Sequence, residues 1–173
     1  MRIQATDRLP DVASVAESLA LFEDILTRGA MLRMRVTGRS MNPFLRGGEI
    51  LTIRKVPCNS LKKGDLVFFR SREGCPVVHR IVWRHTHDSP GITFRTKGDA
   101  LVIPDEPVGD KEILGKVCIV EYGSKHINLE ARRWSAVNYM LAAISLLESR
   151  LSFILRTVKH SVRSVRMSCN GNV

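Results

Sequence analysis

The chain has 173 residues, 44% of them hydrophobic, and a formal net charge of +10. That length suits one domain with flanking elements, and that composition excludes a chain too polar to bury a core. The charge sits at one end. Beyond residue 130, Arg132, Arg133, Arg150, Arg156, Lys159, Arg163 and Arg166 face the single acid Glu148, so the C-terminal segment suits an anionic lipid or nucleic-acid surface. Cys58, Cys75, Cys118 and Cys169 have neither zinc-ligand nor disulfide-framework spacing, and a reducing compartment is the simpler reading. The N-terminus lacks the pattern of a secretory signal. No window reaches the roughly 18 to 20 apolar residues of a membrane span; Ser135 to Leu147 comes nearest. A cytoplasmic or peripherally membrane-associated protein is expected.

Residues 11 to 28 predict a helix: Val12, Val15, Leu19, Phe22 and Leu26 recur at helical spacing, Asp11 can cap the start, and Gly29 supplies the stop. From residue 31 the period falls to two. The runs MLRMRV, EILTIRKV, GDLVFFRS, PVVHRIVWR, ITFRTKG and ILGKVCIVEY, separated by Gly- and Pro-containing breaks, predict a coiled antiparallel sheet or partly open barrel. After Glu130 the helical period returns, with Val137, Leu141, Ile144, Leu151, Leu155, Val158, Val162 and Val165 on one stripe and Met140 beside it. This amphipathic segment is open to two readings: a helix closing over the sheet, or an interfacial helix lying on anionic membrane. The domain reading is a helix over 1–30, a β domain over 31–125 and a basic helical extension over 126–173.

Four side chains offer chemistry. Ser40 stands between an apolar strand and the breaks at Pro43, Gly47 and Gly48; locally a turn serine is the default, and a nucleophile the alternative. His79 interrupts an apolar strand, where alternation sets Val77, His79 and Ile81 on one face and Val78, Arg80 and Val82 on the other. By itself it reads as a satisfied core or surface histidine. Asp99 and Asp105, in TKGDALVIPDEPVG, either bond their own turns or orient an imidazole. His85 and His87 have chelating spacing without a third ligand, so a solvated loop is the better reading, and no metal is expected.

In their order along residues 31 to 121, the stretches TGRSMNPFLRGGEILTIRKV, LKKGDLVFFRS, VVHRIVW, TKGDALVIPDEPV and ILGKV resemble the successive boxes of type I signal peptidases. Histidine in the box where bacterial members keep lysine resembles the archaeal and endoplasmic-reticulum type. The resemblance implies a mainly β, signal-peptidase/LexA-like coiled sheet and a serine endopeptidase acting on an extended leader or signal-type peptide. It implies Ser40 as nucleophile, His79 as base and Asp105 as orienting acid with support from Asp99. The Ser40 backbone amide would join the oxyanion hole, and Met41 would lie near the substrate cleft, though simple core burial explains Met41 equally well. Histidine titrates near 6.5 and can accept a proton at neutral pH without the burial a lysine base requires.

Two departures qualify the resemblance. Gly38 stands where many signal peptidases have a serine assisting the oxyanion, and VTGRSM is closer to LexA-like self-cleaving repressors, which use lysine as base. No membrane anchor is expected before Ser40, so the C-terminal amphipathic helix would reach an anionic membrane surface instead. The alternatives are a LexA-like regulatory module or a catalytically silent peptide-binding relative. No cofactor and no nucleic-acid partner are expected, and the oligomeric state is left open.

Overall fold

In the computed structural model, which describes residues 12–86 and 91–145, helix α1 spans Val12–Thr27. It stops at Gly29, whose φ of +78° lets the amides of Gly29 and Ala30 bond back to the carbonyls of Leu26 and Ile25 at 3.1 and 3.2 Å. Leu19 and Leu26 are buried, and Phe22 meets Phe68 edge-to-face at 5.9 Å. The predicted cap Asp11, as well as His87, Cys169 and the basic second half of the C-terminal segment, lies outside the described residues.

The strands are β1 (Leu32–Arg35), β2 (Ile50–Arg54), β3 (Leu66–Arg70), β4 (Pro76–Thr86), β5 (Ile92–Lys97), β6 (Val108–Gly109), β7 (Ile113–Tyr122) and β8 (Lys125–Asn128). They form one eight-stranded antiparallel sheet in the order β1-β2-β7-β3-β4-β5-β6, with β8 also on β7. The fold is thus mainly β, as expected, and the sheet curls into a half-barrel. Register shifts at Thr52/Ile53, Phe68/Phe69 and Ile81/Trp83 are where the ladder bends, because an extra residue on one strand raises the local twist. Sequence periodicity missed β6 and β8: one has two residues, and the other, KHIN, is exposed along most of its length.

Both sheet faces are buried, which explains the nearly continuous apolar run of β3. Phe68 joins the cluster beneath α1 with Leu19, Leu26, Met41, Leu45 and Leu51. Val67 and Phe69 join the opposite cluster with Leu61, Ile81, Phe94 and Ile113. Burying each such side chain contributes about 1.5 to 3 kcal/mol, so these two clusters supply the main cohesion of the sheet.

Helix α2 covers residues 132–145 of the described chain, and strand pairing continues to Asn128 before it, past the boundary expected at 125. Its inward face is polar, not the apolar stripe that a helix closing over the sheet would turn inward. Asn138, Ala142 and Ser145 are buried, whereas Val137, Met140 and Ile144 are 39%, 61% and 50% exposed. The reason lies in the sheet beneath, where the fully buried Arg80 and Lys97 need acceptors. Asn138 Oδ1 accepts from Arg80 Nη1 at 2.8 Å, and the Ser145 carbonyl and hydroxyl accept from Lys97 Nζ at 3.1 and 2.5 Å. Trp134 adds an edge contact to Phe44 at 6.4 Å. A stripe read from hydrophobicity alone points to the core; here buried cations rotate the helix the other way.

The close approach of α2 requires Gly64. Its φ is +99°, and an added Cβ would stand 2.7 Å from the Tyr139 nitrogen and 2.8 Å from the Asn138 carbonyl carbon, both backbone atoms. Gly64→Ala is therefore expected to lose about 2 kcal/mol or more of folding stability, from backbone strain together with loosened helix docking. Urea unfolding checks this, with Gly123→Ala as a comparison where positive φ occurs without any close neighbour.

Candidate active site

Ser40 sits in a turn that the chain holds from several sides. The buried carboxylate of Glu49 accepts from the amides of Arg46 and Gly47 at 2.9 and 2.8 Å, and Gly48 N–H donates to Val36 O at 2.7 Å. Met41 and Leu45 drop into the core on either side of the cis Asn42–Pro43 bond, with Leu45 N–H donating to Met41 O. Met41 is 2% exposed and packs in the cluster beneath α1, so the structure gives it a core position rather than one on a cleft wall.

His79 lies on β4 opposite Val67 of β3, 6% exposed, its ring 6.2 Å from that of Phe69. Strand alternation carries Val77 and Ile81 to the same cluster as Phe69, while Val78 goes to the other. His79 Nδ1 and Asp105 Oδ2 are 2.6 Å apart, and His79 Nε2 and Ser40 Oγ are 3.0 Å apart. A carboxylate beside Nδ1 keeps the proton there, which leaves Nε2 as the acceptor for the serine hydroxyl. Asp105 is fixed in turn: its amide donates to Thr96 O at 2.9 Å, and Thr96 Oγ1 donates to Oδ2 at 2.7 Å. Thr96 is a member of the arrangement that sequence reading missed; its inward alternation with Phe94 on β5 is the only signal it offers.

Asp99 does not reach the imidazole. Both of its oxygens are taken by Arg80, Nε to Oδ1 at 2.9 Å and Nη2 to Oδ2 at 2.7 Å, on the other face of β4. The expectation that Asp99 helps orient His79 gives way to this pairing, for the bidentate guanidinium holds both carboxylate oxygens on the face of β4 away from the imidazole. Gly98, one residue earlier, does touch the site. A Cβ there would lie 2.6 Å from Ser40 O and 3.0 Å from His79 Nε2, and the next amide, Ala100 N–H, donates to Ser40 O at 2.9 Å. Sequence reading took Gly98 only for a turn; its lack of a side chain is what lets the turn lie against Ser40 and His79.

A groove of about 780 Å³ opens beside His79 and Asp105, with Phe69, Val77 and Val108 among its walls, and does not extend to Ser40. Among the described residues no group of three potential ligands converges as a metal site; His85 instead stacks on Trp83 at 5.1 Å. Burial pushes the thiols of Cys58 and Cys118 up, which makes them poor nucleophiles at neutral pH. The geometry brings together a hydroxyl and an imidazole that is itself held by a carboxylate, an arrangement able to activate the hydroxyl as a nucleophile.

The two aspartates are expected to differ sharply in their effect on stability. The Arg80 side chain is 0% exposed and that of Asp99 9%, so Asp99→Ala leaves an unpaired interior charge and is expected to cost about 3 to 5 kcal/mol. Asp105, with a side chain 24% exposed, should cost distinctly less when replaced by alanine. Parallel denaturant titrations of the two variants measure the difference.

No protein-family model matches the chain. Over 71 residues it is 31% identical to the signal peptidase complex catalytic subunit SEC11C of Homo sapiens, and equally to those of Mus musculus and Canis lupus familiaris. The matched segment covers 40% of this chain and 37% of each relative, so the chain spans little more than a third of the length of the proteins it matches. Over that segment the chain, a curled antiparallel half-barrel, is similar to a signal peptidase catalytic subunit.

Proposed function

We propose that the protein is a serine endopeptidase of the signal-peptidase type, and the observation that carries this reading is the hydrogen-bonded line from Ser40 Oγ through His79 to Asp105. Ser40 Oγ attacks the peptide carbonyl while its proton passes to His79 Nε2. The imidazolium then protonates the leaving amine, and the C–N bond breaks to leave an ester on Ser40. Water, deprotonated by the same nitrogen, attacks that ester, releasing the new carboxylate and restoring the hydroxyl. Asp105 stabilises the imidazolium throughout. The Ser40 amide serves as a donor for the oxyanion, and no backbone acceptor among the described residues takes its proton. The substrate is an extended peptide that passes the site as an added strand. A LexA-like lysine mechanism is disfavoured because the buried Lys97 is engaged by Ser145 while Ser40 faces His79.

The test is covalent labelling with a serine-directed acylating inhibitor. Wild type is expected to take up one equivalent, Ser40→Ala none, and His79→Ala to react at least about 100-fold more slowly, since general-base assistance is commonly worth that much. Equal labelling of Ser40→Ala, or labelling of His79→Ala at the wild-type rate, would reject the mechanism.

The same reading places the work at an anionic membrane surface. Val137, Met140 and Ile144 of α2 stand exposed, the loop residues Leu101, Val102 and Ile103 between Asp99 and Asp105 are 40%, 42% and 67% exposed, and the basic excess follows in sequence. Apolar residues can enter the headgroup boundary while each nearby Lys or Arg contributes about 1 kcal/mol, an attraction that salt weakens. Flotation with phosphatidylserine-containing liposomes should recover the wild type at low salt and less at high salt. Met140→Glu with Ile144→Glu should abolish recovery without altering the fold, since both side chains are exposed. Undiminished flotation of the double variant removes α2 from the contact.

A further inference from the structure

We propose that Asn138 is a positioning residue of the active site, so that the C-terminal helix completes the peptidase rather than merely extending it. This rests on the peptidase reading above. The connection runs through Arg80, Asp99 and the turn that carries Asp99. Asn138 Oδ1 accepts from Arg80 Nη1 at 2.8 Å, and the same nitrogen donates to Gly64 O at 3.1 Å. Arg80 grips Asp99 with its two remaining nitrogens at 2.9 and 2.7 Å. Asp99 is one residue from Gly98, which abuts Ser40 O and His79 Nε2, and one from Ala100, whose amide holds Ser40 O at 2.9 Å. Arg80 is also the chain neighbour of His79, on the opposite face of β4. A shift of the guanidinium therefore reaches both partners of the 3.0 Å Ser40–His79 contact, one through the turn and one through the strand.

Asn138 is suited to this task in a way that an apolar residue is not. Arg80 has its counter-charge in Asp99, and a side-chain oxygen at position 138 supplies the acceptor that its remaining N–H requires. The guanidinium also lies 4.9 Å from the Phe44 ring centroid, and Phe44 belongs to the turn that follows Ser40. With the Asp99 carboxylate, the Gly64 carbonyl and the Phe44 ring fixed by the sheet and its turns, Asn138 is, among the described residues, the hydrogen-bond partner that α2 brings to Arg80. The helix is clamped at two further points, Gly64 against its backbone and Lys97 against Ser145, so the amide arrives in a set position. Interactions that hold a nucleophile and its base in register matter to rate out of proportion to their strength, because small misplacements are costly in catalysis.

Four variants of the full chain test this. Asn138→Leu keeps the branched shape but removes the acceptor, and Asn138→Asp keeps the acceptor. Asn138→Ala is the substitute if leucine does not fold, and Tyr139→Ala controls for a change on the exposed side of the same helix. With a cleavable peptide, Asn138→Leu is expected to lower kcat about tenfold or more with KM nearly unchanged, Asn138→Asp to restore most of kcat, and Tyr139→Ala to match wild type. In parallel, NMR of the His79 ring in the Ser40→Ala background should show its resonances displaced by Asn138→Leu and unmoved by Tyr139→Ala. The NMR arm stands even if no turnover is found, which would count against the peptidase reading alone. A folded Asn138→Leu with unshifted His79 resonances, or equal kcat losses in the leucine and aspartate variants, overturns the positioning role.

Discussion

A guanidinium with no access to water organises this molecule. Arg80 is completely buried, and a buried cation persists only where a counter-charge and a full set of acceptors surround it. Asp99 supplies the charge, and Gly64 O and Asn138 Oδ1 supply the acceptors. Meeting that demand draws three segments distant in sequence onto one side chain: the turn before β3, the turn after β5, and α2. Gly64 serves twice, with a carbonyl that faces Arg80 and a bare Cα that lets the helix backbone approach. A hydrophobic residue at position 80 would require none of these constraints, and α2 would then lack its reason for turning a polar face inward.

The alternation of β4 converts this structural demand into chemistry. Adjacent residues on a strand point to opposite faces, so the fixing of Arg80 also fixes where His79 must emerge. On the Arg80 face the strand is anchored by an ion pair; on the His79 face it presents an imidazole between Asp105 and Ser40. The turn carrying Gly98, Asp99 and Ala100 bridges the two faces. Its carboxylate serves one side, and its glycine and amide press against the other. The two aspartates of the same loop thereby have separate tasks, one structural and the other in contact with the imidazole.

That separation marks where the sequence stops being legible. Six of the eight strands followed from period-two runs between turn residues, and the helix from Val12 to Thr27 from its apolar spacing and terminal glycine. Ser40, His79 and Asp105 stood out because a serine among breakers, a histidine in an apolar strand and an aspartate beside proline are each locally odd, and because their order resembled a known family. Asp99 was misassigned since a one-dimensional string does not say which neighbour a carboxylate meets. Arg80 was rightly turned away from the base, but nothing local told that it would be buried, and the demand for Asp99 follows only from burial. Thr96 carries no local signal beyond its alternation with Phe94, and Asn138 carries none; each is an ordinary polar residue until the partner across the fold is known.

The orientation of α2 illustrates the same limit from the side of energetics. A hydrophobic stripe is a sound guide when the surface beneath a helix is apolar, for then area removed from water decides the facing. Over Arg80 and Lys97 a different comparison applies. Facing Val137, Met140 and Ile144 inward would gain about 1.5 to 3 kcal/mol for each side chain fully buried, but it would leave two interior cations short of acceptors, a loss of about 1 to 3 kcal/mol for each unsatisfied group and more for charged ones. The buried Asn138 and Ser145 show which effect wins. What remains outside is an apolar strip on a helix whose other face is tied to the Arg80 network, so whatever covers that strip bears, through Asn138, on the segment that holds Ser40 and His79.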